Sequence, residues 1–341
     1  MNTRAKNCLS IFSLVLFTSF WPAPPLNGQE KASLYINVGL NYYEIGQYEK
    51  AVEKFQKALT LDPDHPHLHG FLGSALLQCG KIDQAIEAYE RQIVLAPTVA
   101  KCHYNLGLAY LRKGLLEEAI GRFQRAVELD EGLVEAHRAL GLAHMEQGNL
   151  SEAISVFRKA IFLDSSFWEH YYNLGLAFYR QKNFKEAVQS YQRALGLNPE
   201  EAEVHEALGN AYVELGKVDL ALRRYRNALR IDPRDIELKF KVGEILASQG
   251  RYDEAIDEFK AILRMDTKNV EILNNLGVVY FKKKSYEEAL QYFMKAIYVD
   301  PNIPYIHNNL GMVYAEMGMH EKARDEFEKA IAVSERKASS P

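Results

Sequence analysis

The chain has 341 residues, of which 48% are hydrophobic and 25% are charged, and its formal net charge is −4 at pH 7. This composition is that of a folded protein, but the length exceeds what one compact core usually holds, so we expect several domains or a repeat array. No region concentrates Lys and Arg, which argues against binding to nucleic acid through its phosphates.

The first 28 residues have the features of a secretory signal. Arg4 and Lys6 precede an apolar run over 9–21, which is shorter than the roughly 20 residues that span a bilayer. A small residue, Gly28, follows that run. We therefore predict a signal peptide over 1–28, and a secreted or periplasmic protein with no integral membrane span once the signal is removed. An uncleaved signal that anchors the chain to a membrane is the alternative.

The chain after the signal repeats every 34 residues. Gly recurs at this interval nine times, from Gly39 to Gly311, and each Gly is followed at fixed distances by an Ala and then by a Phe or Tyr. We call each set of equivalent positions a column. These three columns continue through all nine units without exception or insertion, which predicts nine helical hairpins. Gly inside a helix costs about 0.5–1 kcal/mol relative to Ala, so the Gly column predicts close helix contacts. The aromatic column is expected to fill the space between a repeat and its neighbour.

The ends of the predicted helices are also marked in the sequence. A second glycine, such as Gly46 or Gly114, closes the first helix of most units. Asp-Pro and Asn-Pro pairs, such as those at 62–63 and 198–199, end the second helix of several units. The residue after the Ala of each unit is apolar in eight units and is Arg324 in the ninth, so we expect the array to end there.

This pattern, seen in LGLAY at 106–110 and EEAI at 117–120, resembles the tetratricopeptide repeat. The resemblance implies an all-α, right-handed superhelical solenoid of nine 34-residue helix-turn-helix repeats. It divides the chain into the signal at 1–28, a lead-in at 29–31, the array at 32–337 and a disordered tail at 338–341. The repeats are 32–65, 66–99, 100–133, 134–167, 168–201, 202–235, 236–269, 270–303 and 304–337. One departure is that the family's frequent Trp near the start of the first helix is often His here, as at 69, 103, 137, 205 and 307.

The resemblance also implies that the first helix of each repeat, helix A, lines a concave surface that binds a partner. In the third to fifth repeats this surface carries apolar and aromatic residues with Arg at the rim, which is the composition of a binding hot spot. The residues of this predicted strip are Tyr104, Leu108, Arg112, Arg138, Leu142, Tyr172, Leu176, Tyr179 and Arg180. Leu111 and Met145 occupy further positions of the same face, and packing between adjacent A helices is the alternative for these two.

A second candidate surface is a series of acids at the starts of A helices in five consecutive repeats. A strip of one sign could receive a basic segment of a partner. The alternative is that each acid only stabilises its own helix N-terminus, by about 0.3–1 kcal/mol. The residues of this acidic strip are Glu135, Glu169, Glu203, Glu237 and Glu271.

Motifs for catalysis and metal binding are missing from the sequence. It contains no GxxxxGK[ST], HExxH, CxxC or GxSxG pattern, so we predict a protein that is not an enzyme and that has no catalytic residues, cofactor or metal. The nearest arrangement to a metal site is His65, His67 and His69, for which packing and exposed turn positions are favoured over a zinc or nickel site.

The sequence thus predicts a protein-protein interaction scaffold. Its concave groove would hold a peptide segment or a helix of a partner protein, in an exported or envelope-associated assembly. The alternative is a non-catalytic subunit that presents substrates within a larger enzyme complex, such as a glycosyltransferase.

Overall fold

The computed structural model describes residues 27–338. Most of the predicted signal, at 1–26, and the end of the predicted tail, at 339–341, lie outside this range. Residues 27–338 form α-helices joined by short turns, with no β-strand in that range. None of the helices within it combines the length and the apolar character needed to span a membrane.

The described chain divides into two compact units with a boundary between 129 and 130. The first unit contains α1 (Gly28–Glu44), α2 (Tyr48–Leu61), α3 (Leu68–Gln78), α4 (Ile82–Leu95), α5 (Ala100–Lys113) and α6 (Leu116–Leu129). The second unit contains α7 (Val134–Gln147), α8 (Leu150–Leu163), α9 (Trp168–Arg180), α10 (Phe184–Leu197), α11 (Ala202–Glu214), α12 (Val218–Ile231), α13 (Ile236–Ser248), α14 (Tyr252–Met265), α15 (Val270–Lys282), α16 (Tyr286–Val299), α17 (Pro304–Glu316) and α18 (His320–Ala338).

Within each unit the helices form a solenoid of antiparallel hairpins. An odd-numbered helix, which is the predicted helix A, pairs with the even-numbered helix that follows it, and each hairpin packs on the next hairpin of its unit. In the second unit α7 also contacts α9, and α9 contacts α11, so that successive A helices lie side by side. The all-α solenoid predicted from the repeat is therefore confirmed.

The recurring glycine and the recurring aromatic residue contact each other within one hairpin. A Cβ atom added to Gly175 would lie 2.5 Å from Cε1 of Tyr191, and one added to Gly107 would lie 2.6 Å from Cε1 of Phe123. The sequence predicts that this ring fills the space between neighbouring repeats. The ring packs over the glycine of its own hairpin, and one member of the set, Phe55, also lies 5.9 Å from Phe71 of the next repeat. The rings of Tyr191 and Phe123 are almost completely buried, so the glycine is required because no larger residue leaves room for the ring.

The turns inside the hairpins follow the predicted chemistry. The closing glycines, such as Gly114 and Gly216, have φ values of 80° and 69°, in the left-handed region that favours glycine. Two hairpins have a lysine at this position instead: Lys182 and Lys284 adopt φ values of 64° and 63°.

The recurring histidines hold the turns between hairpins. The Nε2 atom of each donates to the carbonyl oxygen of the residue six positions earlier, as in His103 to Pro97 at 3.1 Å and His205 to Pro199 at 3.0 Å. Since a carbonyl can only accept, Nε2 carries the proton in these rings. The same bond is present for the other members of the column, His69, His137 and His307. The column is therefore a structural clamp.

Candidate partner-binding surface

The predicted strip falls on three A helices, one in the first unit and two in the second. In the first unit, α5 carries Tyr104 and Leu108 half-buried and Arg112 exposed. The ring of Tyr104 lies 5.9 Å from that of Phe123, and the ammonium group of Lys101 lies 4.5 Å from the centroid of the Tyr104 ring. This part of the strip is an aromatic surface with a cation beside it.

The larger part of the strip lies on α7 and α9, which are in contact. Four of its side chains are half-buried and pack against the core of the second unit, which leaves one side of each at the surface: Leu142, Tyr172, Leu176 and Tyr179. Arg138 and Arg180 are exposed. The structure thus brings these six predicted residues onto two adjacent helices.

Tyr172 connects the predicted strip to the predicted acidic strip. Its hydroxyl donates to the carboxylate of Glu203 on α11, and its ring packs 5.9 Å from Tyr191 and 6.0 Å from Trp168. Burial, followed by the hydrogen bond to Glu203, raises the pKa of the Tyr172 phenol. This tyrosine is therefore part of the packing between hairpins as well as part of the surface.

Met145 belongs to the core and not to the surface. Its side chain is buried, and its carbonyl oxygen accepts a hydrogen bond of 3.2 Å from Nη1 of Arg180 on the next A helix. The alternative of packing between adjacent A helices therefore holds for Met145. The same bond links Arg180 to α7 and so fixes the position of one of the arginines at the rim of the strip.

The five acids of the predicted acidic strip do not share one environment. Glu203 accepts from Tyr172, whereas Glu237 and Glu271 are exposed at their helix starts. Glu135 and Glu169 line a cavity of about 370 Å³ in the second unit. Of the five acids, two thus line a cavity, one accepts a hydrogen bond from Tyr172, and two are solvated.

This cavity, which we call the His170 pocket, lies at the starts of α7 and α9 and at the turn before α9. It is lined by Val134, Glu135, Arg138, Asp164, Phe167, Glu169 and His170. Sequence reasoning missed the pocket, although one signal was available. In the fifth repeat the recurring position holds Tyr171, and a histidine stands one place earlier, outside the clamp column.

A larger groove of about 770 Å³, which the sequence did not predict, lies mainly on α14 and α16, the second helices of their hairpins. It is lined by α14 to α16, and four of its residues are basic: Lys260, Arg264, Lys268 and Lys295. Tyr298 lies at this groove and is 91% exposed. The binding positions implied by the family resemblance lie on the A helices, so they did not predict a groove on this side of the hairpins.

The three closely spaced histidines at 65–69 show no metal-binding arrangement. The His65 and His67 rings have centroids 6.1 Å apart, and His69 donates to the carbonyl of Pro63. Within residues 27–338, no group of three or more His, Cys, Asp or Glu side chains is placed to hold a metal ion. Cys79 and Cys102, both in the first unit, are free thiols.

The helical hairpins and their A-helix surfaces show that the chain is a helical repeat protein. Comparison with protein families then identifies which repeat family it belongs to. A model described as the cilia and flagella-associated protein 70 C-terminal domain matches residues 66–271. Two tetratricopeptide repeat models match residues 32–65 and 268–336. The chain therefore belongs to the tetratricopeptide repeat family, in the group that the first of these models describes.

Solved structures agree with this fold. The C-terminal part of a tetratricopeptide repeat protein from Cytophaga hutchinsonii is 21% identical, with a TM-score of 0.62, over 71% of this chain and 99% of that one. PilF from Pseudomonas aeruginosa is 21% identical, with a TM-score of 0.54, over 62% and 96%. A tetratricopeptide repeat protein from Parabacteroides merdae is 17% identical, with a TM-score of 0.54, over 73% and 98%. No curated protein matches the chain.

Repeat arrays of this kind present extended surfaces that bind other proteins. The family assignment therefore supports a protein-interaction role for the chain, with protein or peptide partners. Tetratricopeptide repeat proteins are typically non-catalytic.

Proposed function

We propose that the chain is a non-catalytic scaffold that holds a peptide segment or a helix of a partner protein against its A-helix surface. The observation that carries this proposal is the group of half-buried side chains on α7 and α9, namely Leu142, Tyr172, Leu176 and Tyr179. Each is fixed by the core on one side and available on the other. Such pre-ordered apolar and aromatic groups bind with a small loss of conformational entropy.

We further propose that the array comprises nine repeats and that the chain acts outside the cytoplasm, in an exported or envelope-associated assembly. The basic, apolar and small-residue segments of 1–28 support export. The structure adds a consideration about the cleavage site. The Asn27 side chain accepts from the Glu30 amide, and the Glu30 carboxylate accepts from the Asn27 amide, both at 2.8 Å. Cleavage after Gly28 would remove this N-terminal cap of α1.

The binding surface is tested with Leu142→Glu/Leu176→Glu. These two side chains lie on adjacent A helices and make no side-chain hydrogen bonds, whereas Tyr172→Ala would also disrupt the bond to Glu203 and the packing on Tyr191. The wild type and the variant, each carrying an affinity tag, are expressed in the native host. Envelope and cytoplasmic fractions are prepared separately, the tagged protein is captured from each, and bound proteins are identified by mass spectrometry.

The matched control is Phe162→Glu, because Phe162 is apolar, lies on α8 in the same unit and is 81% exposed. We expect a partner in the envelope fraction that is lost with the double variant and kept with the control. Circular dichroism should show equal helicity for all three proteins. Equal capture by the double variant and the wild type would move the binding site elsewhere, and capture only from the cytoplasm would contradict export.

A further inference from the structure

The His170 pocket combines elements that are all within the second unit. Glu135 and Arg138 come from the first turns of α7, Asp164 and Phe167 come from the turn between α8 and α9, and Glu169 and His170 come from the first turn of α9. Helix starts and a short turn set these positions, and the hydrogen bonds of Asp164 to the Ser166 amide and hydroxyl, at 2.8 and 2.6 Å, hold the turn. The pocket is thus built from two helix starts and a hydrogen-bonded turn.

His170 is buried in the wall of the pocket without a hydrogen-bond partner. Its side chain is only 4% exposed, and neither Nδ1 nor Nε2 has a partner. The Oε2 atom of Glu169 is likewise buried and unpaired. Burial, followed by the charge of Arg138, lowers the pKa of His170, so the ring is neutral at pH 7 and offers one donor and one acceptor. Buried polar atoms are nearly always paired in proteins, so these three atoms point to a ligand.

The charge of the pocket favours a cation. Three carboxylates line it, those of Glu135, Asp164 and Glu169, and one guanidinium, that of Arg138. With His170 neutral, the sum of three negative charges and one positive charge is −2. The bonds from Ser166 lower the pKa of Asp164 and keep that carboxylate ionised at neutral pH. A ligand that donates hydrogen bonds and carries a positive charge complements this lining.

We propose that the His170 pocket binds the guanidinium group of an arginine side chain of the partner protein. A guanidinium offers five donors in a plane, which suits several carboxylate oxygens and an imidazole acceptor better than the compact ammonium of lysine. Phe167 lies at the pocket, is 51% exposed and contacts the edge of His170 with ring centroids 5.7 Å apart, so it provides an aromatic face on which the guanidinium stacks. This inference rests on the proposed function, because it names one side chain of the bound partner.

The test uses the full chain labelled with ¹⁵N at histidine. The probe is the blocked peptide acetyl-Gly-Arg-Gly-amide, and its controls are the peptides with citrulline and with lysine in place of arginine. The ring nitrogen signals of His170, assigned by their loss in His170→Gln, are followed by NMR during titration at pH 7.5. We expect them to shift and saturate with the arginine peptide. The citrulline peptide, which lacks the charge, should bind about tenfold more weakly.

Two variants separate the proposal from a general effect of charge. Glu169→Gln should weaken binding of the arginine peptide about tenfold, because a charge-assisted hydrogen bond is lost. The matched control Glu271→Gln, an exposed acid at the corresponding position of α15, should change binding less than about twofold. Arg138→Gln should strengthen binding about twofold, because it removes a repelling charge at an exposed position.

Each of several outcomes would overturn the inference. The first is that the His170 signals do not move, and the second is that the citrulline or lysine peptide binds as well as the arginine peptide. The third is that Glu169→Gln and Glu271→Gln have equal effects. The fourth is that Arg138→Gln binds the arginine peptide more weakly, which would mean that Arg138 does not repel the ligand. The partner capture experiment shows whether only the arginine pocket is wrong or whether the proposed scaffold function is wrong as well. Capture that depends on Leu142 and Leu176 but is unchanged by Glu169→Gln leaves the scaffold intact and rejects the arginine pocket.

Discussion

At the scale of single residues, the close approach of a glycine and an aromatic ring determines how each hairpin closes. We expect Gly107→Ala to lower the free energy of unfolding by about 1–2 kcal/mol. The overpacking against Phe123, about 1–3 kcal/mol, exceeds the helix propensity gained, about 0.5–1 kcal/mol. The added Cβ would lie 2.6 Å from Cε1 of that ring, which is fully buried. Urea unfolding followed by circular dichroism measures the change.

The matched control for this substitution is Gly121→Ala in α6 of the same unit. Gly121 is exposed, and a Cβ atom there would have nothing within 4 Å. It should therefore stabilise the chain by about 0.5–1 kcal/mol, which is the difference in helix propensity alone. If both substitutions changed the stability in the same direction, the steric role of the glycine column would be contradicted.

Four buried or half-buried histidines predict that the stability of the chain depends on pH. Burial lowers the pKa of His103, His144, His170 and His205 in the folded chain, whereas an unfolded histidine titrates near a pKa of about 6.5. As the pH falls from 7.5 to 5.5, the unfolded chain takes up protons that the folded chain resists. The free energy of unfolding should therefore decrease over this range. Carboxylates with lowered pKa values lose their contribution to the free energy of unfolding only below this pH range.

Urea unfolding of the wild type and of His205→Gln at pH 7.5, 6.5 and 5.5 tests this pH dependence. The variant should be less stable at pH 7.5, by about 1 kcal/mol for a weakened hydrogen bond to Pro199. It should also lose less stability than the wild type on acidification, because one of the titrating groups is gone. A wild type whose stability rose on acidification would contradict the prediction.

At the scale of helices, the turn inside each hairpin favours glycine, and two hairpins lack it. Lys182 is exposed and has a φ of 64°, a conformation that costs an L-residue about 1–2 kcal/mol. Glycine avoids this cost but adds about 0.5–1 kcal/mol of entropy to the unfolded chain. Lys182→Gly should therefore raise the free energy of unfolding by about 0.5–1 kcal/mol, as measured by thermal unfolding.

The reverse substitution, Gly216→Lys, provides the control for this prediction. Gly216 has a φ of 69° and open space where a Cβ would stand, so only backbone strain should change. This variant should be destabilised by a similar amount. An unchanged melting temperature in both variants would show that the left-handed residue contributes nothing to the closure of the hairpin.

The helices could be predicted from the sequence because their determinants are local or recur in every repeat. Helix α12 ends at Ile231, immediately before the Asp-Pro pair that predicts its end, and α8 ends at Leu163 in the same register although no proline follows. The surface could be predicted only in part. Met145 and Tyr179 occupy the same position of successive repeats, yet Met145 is buried and Tyr179 is half-buried, because the burial of such a side chain depends on its neighbours in space. The His170 pocket depends on a histidine outside the repeat pattern. Periodicity predicts the positions of residues that recur in every repeat, so it could not predict the role of this one.

At the scale of the whole molecule, the described chain is two units, each built from contacts between neighbouring hairpins. In the second unit, α13 packs with α14, which packs with α15, and the core continues in this stepwise way. In such an array stability is a sum over repeats and their interfaces, so a local defect should spread only to neighbours. Gly243→Ala introduces such a defect, because its Cβ would lie 2.6 Å from Cε1 of the buried Phe259.

Hydrogen exchange measured by mass spectrometry tests whether this defect stays local. Gly243→Ala should speed exchange most in α13 and α14, less in the adjacent α11–α12 and α15–α16 hairpins, and not measurably in α7 and α8. The control Gly196→Ala, at an exposed site in α10 with open space, should leave exchange unchanged or slower. Equal acceleration in every helix of the second unit would mean that the unit unfolds as one cooperative block. A graded response would mean that a partner bound at α7 and α9 stabilises those hairpins most, and distant hairpins progressively less.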